Sequence, residues 1–171
     1  MPIAIVTGSG GLIGSESAQY FAHQGFDVIG LDNDMRAYFF GDSASTKPTT
    51  VRLAAELGSH FRALDVDIRD NDAVTLVFAQ HGSGIELVVH CAAQPSHDWA
   101  AREPHTDFSV NAVGTLNLLQ ATRDHTRLRA SSSPLRIRCT ATVRMVSRWR
   151  NWPPAGSFPS TTSGTAGFRS A

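Results

Sequence analysis

The chain of 171 residues is 42% hydrophobic, which suffices for one sizeable buried core and predicts a single globular domain. No apolar run could cross a membrane, no signal peptide is visible, and the two cysteines, Cys91 and Cys139, give no disulfide framework, so we expect a cytoplasmic, reducing location. The net charge of zero is the sum of two oppositely charged segments. Residues 1–124 have a net charge of −8, whereas residues 125–171, with eight arginines and no acidic residue, have a net charge of +8.

A glycine-rich loop near the N-terminus separates two predicted elements. Residues 3–6 are apolar and mostly β-branched and predict a buried strand, and residues 15–24 have the spacing of a helix that stops at Gly25. Strand, glycine turn and helix in this order are typical of the phosphate-binding half of a βαβ unit, where the helix N-terminus faces a pyrophosphate. We therefore predict that the loop binds a dinucleotide through Gly8, Gly11, Leu12, Ile13 and Gly14.

The glycine spacing does not fit G-x-G-x-x-G, which would need a glycine in place of Ile13. It fits T-G-x-x-G-x-x-G, with Thr7, Gly8, Gly11 and Gly14, and thereby resembles the extended branch of the short-chain dehydrogenase/reductase superfamily, which includes sugar-nucleotide epimerases and dehydratases. The resemblance implies an α/β fold, a Rossmann-like doubly wound parallel sheet, with NAD as the cofactor.

The second predicted strand, residues 26–31, ends in Asp32 and Asn33, and both are assigned to the cofactor site. Asp32 lies 24 residues after Gly8, near the position where dinucleotide-binding folds place a carboxylate on the adenosine ribose. Such a carboxylate would accept hydrogen bonds from both ribose hydroxyls and repel a 2′-phosphate, which favours NAD over NADP. The alternative is a solvated aspartate in a strand-end turn.

Residues 35–48 carry three aromatic residues followed by small polar ones and predict a partly ordered loop. A third strand is predicted at residues 61–66 and runs into Asp67 and Ile68. The extended branch has a matching D-I-R or D-L-R segment beside the adenine, which implies that Asp67 accepts from the adenine amine and that Ile68 supplies backbone and apolar contact. The alternative is an aspartate-rich N-cap for a helix at Asn71–His81, and the two roles are compatible because neighbouring residues can supply a cap and a ligand contact.

A fourth strand is predicted at residues 85–91 and ends in Ala92, Ala93 and Gln94. Small residues at the carboxyl end of a central strand let a cofactor lie against the backbone, and this segment resembles the family's strand ending in H-x-A-A. Residues 94–102 resemble more narrowly the CDP-tyvelose (CDP-paratose) 2-epimerase group, which implies that this loop lines a sugar-nucleotide pocket. An ordinary surface loop is the alternative.

The same loop contains Ser96, His97 and Asp98, which we do not interpret as a hydrolase triad because residues adjacent in sequence seldom converge. His97 is one of seven histidines, and none has a spacing such as H-E-x-x-H, so no metal site is predicted.

A long helix is predicted at residues 105–122, with one apolar face. Within it, residues 111–119 match the family pattern N-x-x-G-T-x-N-L-L, the chain's most specific motif. A mid-helix glycine costs about 1 kcal/mol and needs a packing reason, so Gly114 is predicted to pack closely on the sheet. Asn111 would reach the cofactor side. The alternative is a helix whose polar residues are merely solvated.

The resemblance covers residues 1 to about 124, interpreted as the N-terminal part of an NAD-binding Rossmann domain. The family continues with a strand carrying a Ser or Thr and then with Y-x-x-x-K, in which the tyrosinate takes a sugar hydroxyl proton while hydride passes to the nicotinamide. Tyr38 is the last tyrosine here and Lys47 the only lysine. The motif is therefore absent, and no catalytic residue is predicted.

Residues 125–171 are predicted to be an irregular basic tail produced by a shifted reading frame, because they are rich in Arg, Ser, Thr, Pro, Ala and Gly and contain no Asp, Glu, Lys or Tyr. One edge strand is expected there, since Leu135, Ile137, Cys139 and Ala141 alternate with polar residues.

The predicted function is the NAD-binding part of a CDP-paratose 2-epimerase-like enzyme, inactive as written. A nucleotide sugar would be the partner of the intact family. Two alternatives stay open, namely a non-enzymatic dinucleotide-binding module and nucleic-acid binding through the arginine-rich tail.

Overall fold

A parallel sheet forms the centre of the protein, whose computed structural model describes residues 1–126 and the backbone of residues 137–139. The strand order is β3-β2-β1-β4-β5, and the strands are β1 at Ile3–Thr7, β2 at Asp27–Leu31, β3 at Phe61–Leu64, β4 at Ile85–His90 and β5 at Ile137–Cys139. Each neighbouring pair is parallel.

Helices connect these strands and lie outside the sheet. They are α1 at Leu12–His23, α2 at Met35–Phe40, α3 at Lys47–Leu57, α4 at Asn71–His81, α5 at His97–Arg102, α6 at Pro104–Phe108 and α7 at Gly114–His125. Short 3-10 turns occupy Asp42–Ala44 and Gly58–His60, and a π-helical turn at Ser109–Val113 joins α6 to α7. Within residues 1–126, no helix combines the length and apolar character needed to span a membrane.

Side chains alternate along the central strands and fill two cores on opposite faces of the sheet. On one face Ile5 packs in a buried cluster with residues of α4 and α7, among them Phe78 and Leu118. On the other face Ala4 and Val6 pack with residues of α1 and α3. Helices therefore cover both faces, and the predicted doubly wound α/β fold is confirmed.

The prediction of a partly ordered loop at residues 35–48 is wrong, because these residues form α2, a 3-10 turn and the start of α3. Phe39 of α2 is buried, and its ring lies 5.4 Å from that of Trp99, a contact across 60 residues that local patterns do not reveal. Pro48 lies in the first turn of α3, where a proline removes no intrahelical hydrogen bond.

Strand β5 pairs with β4 where the alternation predicted an edge strand. The other predictions for the basic tail, its irregularity and shifted reading frame, fall on residues 127–136 and 140–171, which lie outside the described residues. The arginines that suggested nucleic-acid binding lie in the same segments or, in the case of Arg138, on β5.

The strand order creates a crevice at the carboxyl ends of β1 and β4. The chain runs from β1 through β2 to β3 on one side and returns to place β4 on the other side of β1. Loops leaving β1 and β4 therefore diverge, and open α/β sheets bind ligands at this point.

Candidate cofactor site

The glycine loop leaves β1 in a tight turn that only small residues permit. Gly8 has a φ of 64°, its N–H donates to the Leu31 carbonyl at 2.7 Å, and a Cβ there would lie 2.7 Å from the Ala92 nitrogen. A Cβ on Gly14 would fall onto the carbonyl oxygen of Gly8. The helix behind the loop therefore begins directly against the end of β1, and the first N–H groups of a helix have no partner within it.

The N-terminus of α1 is open to solvent, because the first-turn residues Leu12 and Ile13 expose 81% and 50% of their surface. Backbone can thus approach an anion closely at the α1 N-terminus, as the dinucleotide prediction requires.

Asp32 follows β2, and its carboxylate already accepts three hydrogen bonds. Oδ2 accepts from the Gly10 N–H at 2.8 Å, while Oδ1 accepts from the Asp34 N–H at 2.9 Å and the Thr46 hydroxyl at 3.0 Å. Because each oxygen has two lone pairs, Oδ2 keeps one free. The carboxylate therefore has room for one further donor with these bonds intact, whereas the sequence led us to expect two ribose hydroxyls.

Asp67 is held by Arg69 and Asn33. Its Oδ1 accepts from the Arg69 N–H at 2.8 Å and its Oδ2 from the Arg69 Nε at 2.9 Å, and the nearby Asn33 side chain also lowers the pKa of this carboxyl. Burial alone would raise the pKa of Asp67, but the hydrogen bonds and charge of Arg69 hold it below its ordinary value. The cap of α4 is instead Asp70, whose Oδ1 accepts from the Asp72 and Ala73 N–H groups at 3.0 Å.

Gly114 makes room for Ile68. A Cβ on Gly114 would lie 2.6 Å from Cδ1 of Ile68, so the prediction of a packing role is right, but its partner is this loop residue and not the sheet. Asn117, one turn along α7, donates from Nδ2 to the carbonyls of Ile68 and Arg69 at 3.0 and 3.1 Å. Two residues of the long-helix motif thus fix the predicted adenine-binding segment.

Asn111 and Gln94, both assigned to the cofactor site, bind each other. The Asn111 Oδ1 accepts from the Gln94 N–H at 3.0 Å, and its Nδ2 donates to the Gln94 carbonyl at 3.1 Å and to Asp107 at 3.0 Å. These hydrogen bonds connect the π-helical turn to the segment that follows β4, beside Ala92 and the exposed Ala93.

His90, which the sequence reading left without a role, links three elements of the site. Its Nδ1 lies 2.7 Å from the Thr7 hydroxyl and its Nε2 lies 3.0 Å from the Thr115 hydroxyl. Since Thr115 donates its own proton to the Asn111 carbonyl, Nε2 carries the imidazole proton and Thr7 donates to Nδ1. Each of these three residues belongs to a family motif quoted above: Thr7 to the glycine loop, His90 to H-x-A-A and Thr115 to the long-helix motif. The sequence does not show that their side chains contact one another, because only the fold brings them together.

Burial lowers the pKa of His90 to about 4. Between this value and its ordinary pKa of about 6.5, the unfolded chain binds a proton that the folded chain does not, so acid favours unfolding. We expect the free energy of unfolding to fall by up to about 1.4 kcal/mol per pH unit across this window in denaturant titrations. The carboxyls of Asp34 and Asp67, whose pKa values are lowered, contribute only at lower pH.

The variant His90→Gln should lose this slope, while His23→Gln, a change at an exposed histidine of α1, should keep it. Equal slopes in the wild type and His90→Gln would contradict the assignment.

Contacts between α2 and α5 cross the site. The Tyr38 hydroxyl donates to Glu103 at 3.0 Å, and the Tyr38 ring lies 5.9 Å from that of Trp99. Because β1 lies between β2 and β4, a contact between the segments that follow β2 and β4 passes over the end of β1.

Beneath α2 is a pocket of about 400 Å³, lined by Asn33, Asp34, Met35, Tyr38, Arg69 and Thr106.

The predicted site residues therefore come together at one edge of the sheet. The glycine loop, the β2 end and the segment after β3 adjoin one another, and Ala92, Gln94 and Asn111 lie on the other side of the loop. Within the part of the chain that the structure describes, no group of three or more His, Cys, Asp or Glu residues could hold a metal ion.

Comparison with known proteins shows where this arrangement recurs. Residues 4–135 match the model of the NAD dependent epimerase/dehydratase family, a match that extends past residue 124. UDP-glucose 4-epimerase of Drosophila melanogaster is 33% identical over 124 residues, 72% of this chain and 34% of that protein. CDP-paratose 2-epimerase of Salmonella typhi is 32% identical over 123 residues, 71% of this chain and 32% of that protein.

Among solved structures, UDP-glucose-4-epimerase from Stenotrophomonas maltophila, with bound NAD and formylated UDP-arabinopyranose, has a TM-score of 0.59 at 26% identity. The match covers 73% of this chain and 34% of that one. The chain spans about a third of the length of the curated relatives it matches.

Proposed function

The chain belongs to the NAD dependent epimerase/dehydratase family, and we propose that it binds NAD as the cofactor-binding part of a nucleotide-sugar epimerase. The observation that carries this proposal is the hydrogen bond from the Gly10 N–H to the Asp32 carboxylate at 2.8 Å. It joins the predicted pyrophosphate loop to the predicted ribose carboxylate at the carboxyl edge of the sheet, where a dinucleotide would cross from one to the other.

The residues present fit such a cofactor. Gly8 and Gly14 pack so closely against the backbone of Ala92 and Gly8 that neither position has room for a Cβ, and this packing sets the N-terminus of α1 against the end of β1, where a pyrophosphate would bind. The adenosine end would be held by Asp32, Asn33, Asp67 and Ile68, and the nicotinamide end by Ala92, Ala93, Gln94 and Asn111. Bound NAD would supply hydride acceptance, and this chain's own residues would bind it and orient its adenosine half.

The substrate class we infer is a nucleotide sugar, on which the similar relatives are named to act. Residues 94–102 support a CDP-activated sugar by their resemblance to the CDP-paratose 2-epimerase group, while the 33% identity to UDP-glucose 4-epimerase makes a UDP-activated sugar the second candidate. Because no tyrosine follows Tyr38 and no lysine follows Lys47, we propose that these 171 residues bind NAD without turnover. A non-enzymatic NAD-binding module is the second candidate, and the same absence favours it.

Replacing Asp32 by alanine should weaken NAD binding by about 1.5–3 kcal/mol, because a charged acceptor for a ribose hydroxyl is lost. Titration calorimetry measures the change. Asp27→Ala is the matched control, since Asp27 lies at the opposite end of the same strand, is partly exposed, and among the residues that the structure describes its side chain has a hydrogen-bond or ion-pair partner only in His60. A folded wild-type protein that binds no NAD would contradict the proposed function.

A further inference from the structure

Asp34 is a second carboxylate at the adenosine end of the site. Its backbone is left-handed, with a φ of 57°, and this turns the chain so that its N–H donates to Asp32. Its own carboxylate accepts from the Thr46 N–H at 2.6 Å and the Ser45 hydroxyl at 2.8 Å, and it shares with Asp32 the single proton of the Thr46 hydroxyl, whose oxygen lies 3.1 Å from Oδ1 of Asp34. The start of α3 therefore fixes the Asp34 side chain at the wall of the pocket beneath α2.

The Thr46 hydroxyl places the two carboxylates side by side. It lies 3.0 Å from Oδ1 of Asp32 and 3.1 Å from Oδ1 of Asp34, so these oxygens are no more than about 6 Å apart. Both charges would consequently act on any group that binds at the Asp32 carboxylate.

Asp34 carries its charge at neutral pH. Burial alone would raise its pKa, but the hydrogen bonds from Thr46 and Ser45 and the charge of Lys47 hold that pKa below its ordinary value. The two nearby cations do not cancel this charge. The Lys47 Nζ is 3.8 Å away on a side chain that is 79% exposed, and Arg69 is committed to Asp67.

We propose that Asp34, together with Asp32, makes this site select NAD and reject NADP. The proposal rests on the NAD site proposed above and adds to it a residue that no sequence motif singled out. Because the Asp34 carboxylate lies beside that of Asp32, a 2′-phosphate on a ribose held by Asp32 would bring close to two negative charges against two carboxylates. The adenosine 2′-hydroxyl of NAD is uncharged and would not be repelled by the two carboxylates.

The test compares the dissociation constants of NAD and NADP for the wild type, Asp34→Asn and Asp42→Asn by titration calorimetry. Asp34→Asn should tighten NADP binding about tenfold and change NAD binding less than about twofold, because only the phosphate meets the removed charge. Asp42→Asn is the matched control, an exposed carboxylate in the 3-10 turn between the same helices, and should change neither. Circular dichroism checks that each variant is folded.

A second measurement needs no variant. Raising the salt concentration from about 0.02 M to about 0.5 M should narrow the wild-type difference between NAD and NADP, since screening weakens the repulsion.

Absence of NAD binding in all folded proteins would overturn the proposed function and this inference together. Two results would overturn the role of Asp34 alone, with NAD still bound. They are an unchanged NAD-to-NADP ratio in Asp34→Asn and equal wild-type affinities for both, as expected if Arg69 leaves Asp67 to bind the phosphate.

Discussion

Gly14→Ala is expected to destabilise the fold by about 4 kcal/mol or more and to abolish NAD binding. The added Cβ would fall onto the Gly8 carbonyl oxygen and within 2.7 Å of its carbonyl carbon, both backbone atoms that cannot move aside without opening the turn. A displacement of α1 would also move the helix N-terminus away from the end of β1, where the pyrophosphate is proposed to lie. Denaturant unfolding measures the first effect and calorimetry the second.

Gly25→Ala is the control for the glycine substitution. Gly25 has a φ of 86° and no atom within 4 Å of the position of a Cβ, so alanine there meets backbone strain but no clash and should cost only about 1–2 kcal/mol. NAD binding should survive this change. Gly14 is helical and has no positive φ, so a loss at Gly14 no larger than that at Gly25 would contradict the clash with the Gly8 carbonyl.

No epimerisation is expected from the purified 171-residue chain supplied with NAD and a UDP- or CDP-activated sugar. A positioned general base contributes about 10²–10⁴-fold to such proton transfers, and neither the tyrosine nor the lysine of Y-x-x-x-K is present to supply it. His90 cannot substitute for them, because it is 1% exposed and both its ring nitrogens are engaged.

CDP-paratose 2-epimerase of Salmonella typhi, assayed under the same conditions, is the positive control for detection. Product that forms with this chain, depends on added NAD and disappears in the Asp32→Ala variant would refute the expectation. The variant matters because it separates turnover by this chain from that of a contaminating enzyme.

Local patterns were sufficient where a short segment determines its own conformation. Residues 3–6 predicted β1 because β-branched apolar side chains favour a buried strand. The positive φ of Gly8 and the packing of Gly14 follow from a spacing that only residues without a side chain satisfy. The helix at Asn71–His81 was predicted with its bounds, since an aspartate before an amphipathic run is a strong start signal.

The sequence by itself therefore determined the α/β fold and the family, and it predicted one cofactor site that includes the glycine loop, Asp32 and Ile68. Only the tertiary structure decided how these groups are held. Helix α2 is stabilised by the contact of Phe39 with Trp99, and the side chain of Asp34 is positioned by the start of α3. The tautomer of His90 is set by its hydrogen bond with Thr7, 83 residues away. Each is a contact between segments distant in the chain, and such contacts leave no periodicity or spacing to read, because the fold that joins them forms only when the whole sheet is assembled.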